Sequence, residues 1–524
     1  MNQIANSTSQ TDLENLDKEA ILDLLMEQEN QIQCLTKKTI ELEETNATLM
    51  HYLKLSQTAR FGSKSEKVSD DEDTPMLPGI GQVFDEASVE VEPKKPAKKR
   101  AAQGGRKPLP DDLPRTEVTH DIEEHEKICP CGNALHCIGK EESEQLEVIP
   151  AQVKVIKNVR LKYGCKACED TVILAKMPPQ ALPKTMAGPG LLAHILVSKY
   201  DDHLPIYRQA EMWDRAGVDL DCTTMGRWVM SCGDLLMPLV DLMKQDIIAS
   251  GSVQADETGV QVMNEKGRKN KSKSYMWVFK TAGDKNSKIV YHYSPTRNSD
   301  VILSFLSGFE GYLQSDGYRG YTKFATESPH NIINLGCWAH ARRQFVEITK
   351  VAAKKGVAFG AVKLIAELYK VERQAKADNL SFEEIQERRQ KESKPILEEL
   401  KKFLLDHQDT VPPKGLLGKT ISYTLKNWEY LIVYLDRGDL EIDNNATERA
   451  IRPFAIGRKN WMFKGCVKGA NASAAIYSLI ETAKSCGLNP YDYLKDVFIR
   501  LPIKIAAGEC IEELLPYNWK PQAL

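Results

Sequence analysis

The chain has 524 residues, 42% of them apolar, which is enough to bury several packed domains. Its formal net charge is −3, with 70 Lys and Arg against 73 Asp and Glu, which excludes a protein that coats nucleic acid along its whole length and leaves any such contact to local clusters. No stretch reaches the ~20 apolar residues of a membrane span, the first residues lack the layout of a secretory signal, and the cysteines are mostly scattered singly, so a reduced, cytoplasmic protein with no membrane partner is expected.

Leu25, Ile32, Leu35, Leu42, Leu49 and Leu53 occupy a or d positions of one heptad frame, with Thr39 and Asn46 also at a and Gln28 at d. This is a coiled-coil pattern over residues 1–67, suited to a parallel dimer, although a helix packed on its own domain repeats in the same way. Residues 68–115 read as a linker of split charge. The acidic run at 70–73 is followed by seven basic residues and no acid between Lys94 and Lys107, and Arg106 and Lys107 of that arm are candidate phosphate contacts.

Within 116–180, Cys129-Pro-Cys131 and Cys165-Lys-Ala-Cys168 flank a strand-like alternating segment. Four thiolates on two tight turns suit a tetrahedral structural Zn²⁺, which replaces a core that so short a segment lacks. The first pair has an unusually tight spacing, so His136 and Cys137 stand as substitute ligands. Residues 181–250 are helical in pattern. Leu191 to Leu196 and Ile206 to Trp213 form apolar faces, Gly217 marks a turn, and Thr223 or Thr224 is placed to cap a helix through Leu235. That order is compatible with helix-turn-helix DNA binding, with Arg227 as a contact, and any helical hairpin gives the same signal.

From Gly251 the period changes to strands: 252–256 leading into 258–263, then 275–280 and 288–293, a short helix, a strand ending at Asp316, another from Asn331 to Gly336, and a helix from Ala339. Three antiparallel strands followed by alternating strands and helices is the order of an RNase H-like α/β domain, assigned to 251–350 and 435–468. A helical insertion fills 351–434 and a C-terminal helical segment fills 469–524. The fold class is therefore multidomain α+β.

Asp256 and Asp316 end the first and fourth strands, which are neighbours in such a sheet, and Glu448 begins a later helix. Three carboxylates offer hard oxygen ligands for Mg²⁺ or Mn²⁺, and two such ions support in-line phosphoryl displacement without a protein nucleophile. Glu257, Glu441 and Asp443 are rival ligands. His340, Arg342 and Arg343 after the fifth strand, and Arg449, Arg452, Arg458, Lys459 and Trp461 after Glu448, could hold phosphate and stack bases. Asn445-x-x-Glu448 also reads as an ordinary helix cap.

The words that run along the chain resemble the insertion-sequence-66 family of bacterial DDE transposases. They are Arg60-Phe-Gly-Ser-Lys-Ser-Glu66, Gly105-Arg-Lys-Pro-Leu-Pro110, the cysteine ribbon, Val197-Ser-Lys-Tyr-Asp-Asp-His-Leu-Pro-Ile-Tyr-Arg208, Ala255-Asp-Glu-Thr258, Ser315-Asp-Gly-Tyr318, Gly336-Cys-Trp-Ala-His-Ala-Arg-Arg343, Asp443-Asn-Asn-Ala-Thr-Glu-Arg-Ala-Ile-Arg-Pro453 and Gly457-Arg-Lys-Asn-Trp461. The resemblance implies that Asp256, Asp316 and Glu448 are a catalytic triad, and that the N-terminal half recognises terminal inverted repeats. It also implies a homo-oligomer on element and target DNA in a bacterial nucleoid, aided by accessory proteins of the same element. The Cys129-x-Cys131 spacing departs from the family's usual Cys-x-x-Cys. The rival expectation is an inactive DNA-binding relic that occupies the repeats.

Overall fold

The structure is a computed structural model that describes residues 153–164, 172–283, 286–316, 320, 321, 323, 331–350, 356–462 and 464–521, with Pro130 and scattered positions between 26 and 50. The positions described between 26 and 50 are helical, and Ile32 and Leu35 are exposed on the single chain. Cys129, Cys131, Cys165, Cys168, His136, Cys137, Arg106, Lys107 and Phe463 lie outside the described residues.

The chain divides into two compact units, one of residues 86–175 and one of the remainder. In the smaller unit β1 (Lys162–Gly164) and β2 (Val172–Leu174) pair antiparallel, and Arg160 Nε donates to Ala175 O at 2.6 Å.

The larger unit opens with α1 (Pro189–Tyr200), α2 (Ile206–Arg215) and α3 (Cys222–Ile248). The cap of α3 is Asp221 and not Thr223 or Thr224. Its Oδ1 accepts the backbone N–H groups of both threonines at 2.8 and 2.9 Å, and a carboxylate is the stronger acceptor for free donors at a helix N-terminus. Through its 27 residues, α3 buries Met225, Trp228, Val229, Cys232, Leu236, Leu239, Met243 and Ile247 in the core that the sheet shares, while Arg227 stays exposed. The helical segment is thus packed on the sheet.

That sheet contains β3 (Ser252–Gln261), β4 (Lys273–Thr281), β5 (Ile289–Ser294), β6 (Gly311–Gln314) and β7 (Ile332–Leu335), in the order β5-β4-β3-β6-β7. β3, β4 and β5 are antiparallel; β6 lies beside β3, as predicted for the first and fourth strands, and β6 and β7 run parallel to it. The interior strand β4 is buried from Met276 to Thr281, which matches its nearly unbroken apolar run. Between β5 and β6 lies α4 (Ser299–Phe305), whose Phe305 stacks on Phe279 at 3.8 Å between ring centroids. Gly311 opens β6 at φ +129°, and a Cβ there would stand 2.1 Å from Gly251 O, so only glycine lets β6 approach β3 so closely.

After β7 come α5 (Trp338–Thr349), α6 (Val357–Ala377), α7 (Phe382–Arg388), α8 (Lys394–Gln408) and α9 (Leu416–Lys426). They build a second core around Trp338, Phe345, Ile365, Leu368, Leu400, Leu404 and Trp428. Buried Arg389 holds Glu372 through two hydrogen bonds of 2.8 Å, the bidentate pairing that offsets the desolvation of both charges.

The chain then returns to the sheet as α10 (Asn445–Trp461), α11 (Val467–Ser485) and α12 (Pro490–Ala507). α12 runs through Pro502 to a left-handed Gly508, because Phe498, Leu501 and Pro502 are all needed in the core. α11 is buried nearly all round, and its hydroxyls cover the edge strand β5. Thr482 Oγ1 accepts from Ile289 N and donates to Ile289 O, both at 3.0 Å, and Ser478 Oγ accepts from Tyr291 N at 2.8 Å. Edge groups that a further strand would otherwise seek are thereby satisfied within the chain.

Candidate active site

α10 lies along β3 and is fastened to it at both ends. At the start, Asn444 Nδ2 donates to Ala255 O at 3.2 Å and Thr447 Oγ1 donates to Gln254 Oε1 at 3.0 Å. At the far end, Arg458 Nη1 donates to Gly259 O, Lys464 N donates to Gln261 O at 2.9 Å, and Met263 N donates to Lys464 O at 2.8 Å. The capping box read from Asn445 and Glu448 is not formed. The N-cap is Asn444 with no side-chain cap, and Asp443 Oδ1 accepts from Asn445 N at 3.0 Å, which frees the Glu448 side chain.

Gln254 on β3 pairs in parallel register with Gln314 on β6, and Asp256 and Asp316 each stand two residues further along. Glu448 enters from the first turn of α10. The surroundings of Asp256 shift its proton affinity. Burial pushes Asp256 up to about 8, and the charges of Glu257, Asp316 and Glu448 add to the rise against the Glu257 N–H that donates to Asp256 Oδ1 at 2.8 Å.

The rivals have other partners. Glu257 is buried, which raises its pKa, and it accepts from Tyr321 OH at 2.6 Å and from Arg297. Asp443 is raised by burial and bonds Asn445; Glu441 Oε2 accepts from Gln254 Nε2 at 3.2 Å.

Cations stand beside two of the three central carboxylates. Arg297 Nη2 is 3.9 Å from Asp316 Oδ2, Arg343 Nη2 is 3.3 Å from Glu448 Oε2, and His340 Nε2 is 3.6 Å from Glu448 Oε1. Burial lowers the His340 pKa, with Glu448 opposing the shift. Arg297 was missed in the sequence because it stands in a bend after β5, outside every motif.

Of the other basic and aromatic residues named from sequence, Arg449 and Lys459 are exposed and Arg452 is half-buried. Arg342 is buried at 7% exposure in the second core's flank, and Trp461 is half-buried, edge-on to Tyr200 with Lys199 Nζ 4.3 Å and Lys464 Nζ 4.8 Å from its ring centroid.

The donor set fits a hard divalent cation in its chemistry: all three groups are carboxylates, and half-buried Asp256 has an affinity for protons that a nearby cation would reverse. They do not form a ready cage. Among the described residues no group of three or more His, Cys, Asp or Glu is close enough together to hold a metal ion. Among the described residues, too, no helix is long and apolar enough to cross a membrane, and Cys222, Cys232, Cys337, Cys466, Cys486 and Cys510 are free thiols.

Residues 184–472 match the family described as "Transposase IS66 family". Residues 126–169, which span the four clustered cysteines, match "zinc-finger binding domain of transposase IS66". Residues 48–118 match "Transposase C of IS166 homeodomain", and 478–517 match "IS66 C-terminal element". Among similar proteins of Sinorhizobium fredii (strain NBRC 101917 / NGR234), uncharacterized protein y4jD is 37% identical over 422 residues, 79% of this chain and 81% of that protein. Uncharacterized protein y4qI is 30% identical over 502 residues, 92% of this chain and 90% of its own length. With more than half of its length matched and the carboxylates of β3, β6 and α10 set within that match, the chain belongs to the IS66 family of transposases.

Proposed function

We propose that this transposase binds the terminal inverted repeats of an insertion sequence and cleaves and joins DNA strands at the carboxylate site of Asp256, Asp316 and Glu448. The observation that carries the proposal is geometric: Gln254 and Gln314 pair in parallel register two residues before Asp256 and Asp316, and Glu448 stands in the first turn of a helix fastened to β3 through Thr447. The strand order and directions support an RNase H-like catalytic domain of 251–350 and 435–468, with 351–434 inserted and 469–524 following.

Asp256, Asp316 and Glu448 would hold Mg²⁺ or Mn²⁺, which when bound stabilises charge on phosphoryl oxygens and activates a water or 3′-hydroxyl. The protein's own groups do the rest. Arg297 and Arg343, both partly exposed beside the carboxylates, supply positive charge to an incoming phosphate, and Arg227, Arg449 and Lys459 extend that charge over the surface. Cys129, Cys131, Cys165 and Cys168 hold a structural Zn²⁺, the arm with Arg106 and Lys107 follows the DNA backbone, and the N-terminal helix pairs two copies so that both element ends are held. Accessory proteins of the same element and a place on the nucleoid complete the picture.

Purified protein on labelled element-end DNA tests this, with Mg²⁺, with EDTA and with Glu448→Gln. Metal-dependent cleavage and joining that vanish in the variant support the site. DNA binding without cleavage, with accessory proteins supplied, overturns it in favour of a repeat-binding relic.

A further inference from the structure

We infer that Gln254, Gln314 and Thr447 are positioning residues, forming a buried clasp that sets where Glu448 stands relative to Asp256 and Asp316. The inference rests on the carboxylate-site proposal and deepens it. Gln254 and Gln314 face each other in register on adjacent parallel strands, each two residues before a site aspartate, and they are 0% and 1% exposed. Gln254 Nε2 donates to Gln314 Oε1 at 2.6 Å, to Glu441 Oε2 at 3.2 Å and to Asp443 O at 3.3 Å. Its Oε1 accepts from Thr447 Oγ1 at 3.0 Å, and Thr447, also fully buried, is the residue before Glu448. Gln314 Nε2 donates to Glu441 O at 2.7 Å and to Gly336 O at 3.3 Å.

Two amides thus join four stretches of chain: β3, β6, the turn after β7, and the segment 441–447 that delivers α10. An apolar layer would fill the same space and let the segment slide. Hydrogen bonds are directional, and a buried amide that loses its partner is heavily penalised, so this layer admits one register. Asn444 tightens the same junction, donating its side-chain amide to Ala255 O and its backbone N–H to Cys337 Sγ, each at 3.2 Å. Local motifs cannot bring Glu448 to the aspartates; this clasp does.

The test uses full-length protein bound to element-end DNA, with Mn²⁺ binding followed by its EPR signal and melting measured in parallel. Thr447→Val keeps the shape and removes the hydroxyl, Thr447→Ser keeps the hydroxyl, and Gln314→Met breaks the clasp from the other strand. Expected is a loss of about 10- to 100-fold in Mn²⁺ affinity for Thr447→Val and Gln314→Met, the size seen when groups that orient metal ligands are removed, with Thr447→Ser close to the unaltered protein. Mn²⁺ affinity unchanged in Thr447→Val, or in Gln314→Met should the first fail to fold, overturns the positioning role. Asp256→Asn separates the two failures. If it abolishes Mn²⁺ binding while the clasp variants do not, only the positioning role falls; if the unaltered protein binds Mn²⁺ no better than Asp256→Asn, the carboxylate site falls with it.

Discussion

Arg343 Nη2 lies 3.3 Å from one oxygen of Glu448, so the carboxylate that arrives latest in the chain is held by a cation from the helix that follows β7. If Glu448 holds a metal ion as proposed, an arginine in that place would compete for the carboxylate, and a phosphate that drew Arg343 away would link metal binding to DNA binding.

Arg343→Gln should therefore raise the affinity of the DNA-free protein for Mn²⁺ by roughly fivefold, the equivalent of ~1 kcal/mol for a partly exposed ion pair. The same change should weaken DNA binding and flatten its salt dependence. Titration of Mn²⁺ with and without DNA measures both, and an unchanged affinity in the DNA-free protein would rule out the competition.

Lys199 and Lys464 crowd one aromatic box of Tyr200, Phe454 and Trp461, and among the described residues no acid forms a salt bridge with either. Burial lowers Lys199 to about 8, and Lys464 is lowered by burial and then by Lys199. A base with a depressed folded pKa binds fewer protons folded than unfolded between that value and its ordinary one, so stability rises with pH from about 8 to about 10.5 and the penalty is full below 8. Lys199→Met should be more stable at pH 7 by on the order of 2 kcal/mol, with the gap closing toward pH 10.5. Denaturant melts at three pH values would show it, and a gap that widens with pH would contradict it.

Thr482→Val leaves both the Ile289 N–H and its carbonyl without their partner on α11. We expect a loss of about 1–3 kcal/mol, the cost of an unsatisfied buried donor, and greater aggregation through the uncovered strand edge. Chemical denaturation and light scattering read the two effects separately.

Gly311→Ala should destabilise by about 3 kcal/mol or more, because it adds a Cβ against Gly251 O at a φ that side chains rarely adopt. Gly308 has φ +83° and nothing within 4 Å of an added Cβ, so Gly308→Ala should lose only about 1 kcal/mol. Equal melting shifts for the two would show that close approach of β6 to β3 is unimportant.

The strands were legible because the hydrophobic run of β4 and the switch from helical to alternating period at Gly251 follow from burial alone. That β3 and β6 are neighbours was legible from the order of elements. What stayed hidden depends on single polar residues in three dimensions. Gln254 and Gln314 look like any glutamine in a strand, Arg297 sits in a bend, and the choice of Asp221 over Thr223 as cap turns on which acceptor is stronger. Trp461 was legible as an aromatic among cations, and only the fold shows which cations those are, Lys199 and Lys464 over its ring.

The cover of β5 by Ser478 and Thr482 has a consequence for synthesis. All five strands leave the ribosome long before the helix that seals their edge, and before Glu448 as well. The nascent chain therefore carries an open edge from the time β5 is made until Val467–Ser485 follows, and an unfinished set of acids until Glu448. A ribosome that stops short of α11 releases a sheet prone to pair with its neighbours, so the element's enzyme becomes safe to its host's solubility only when translation is nearly complete.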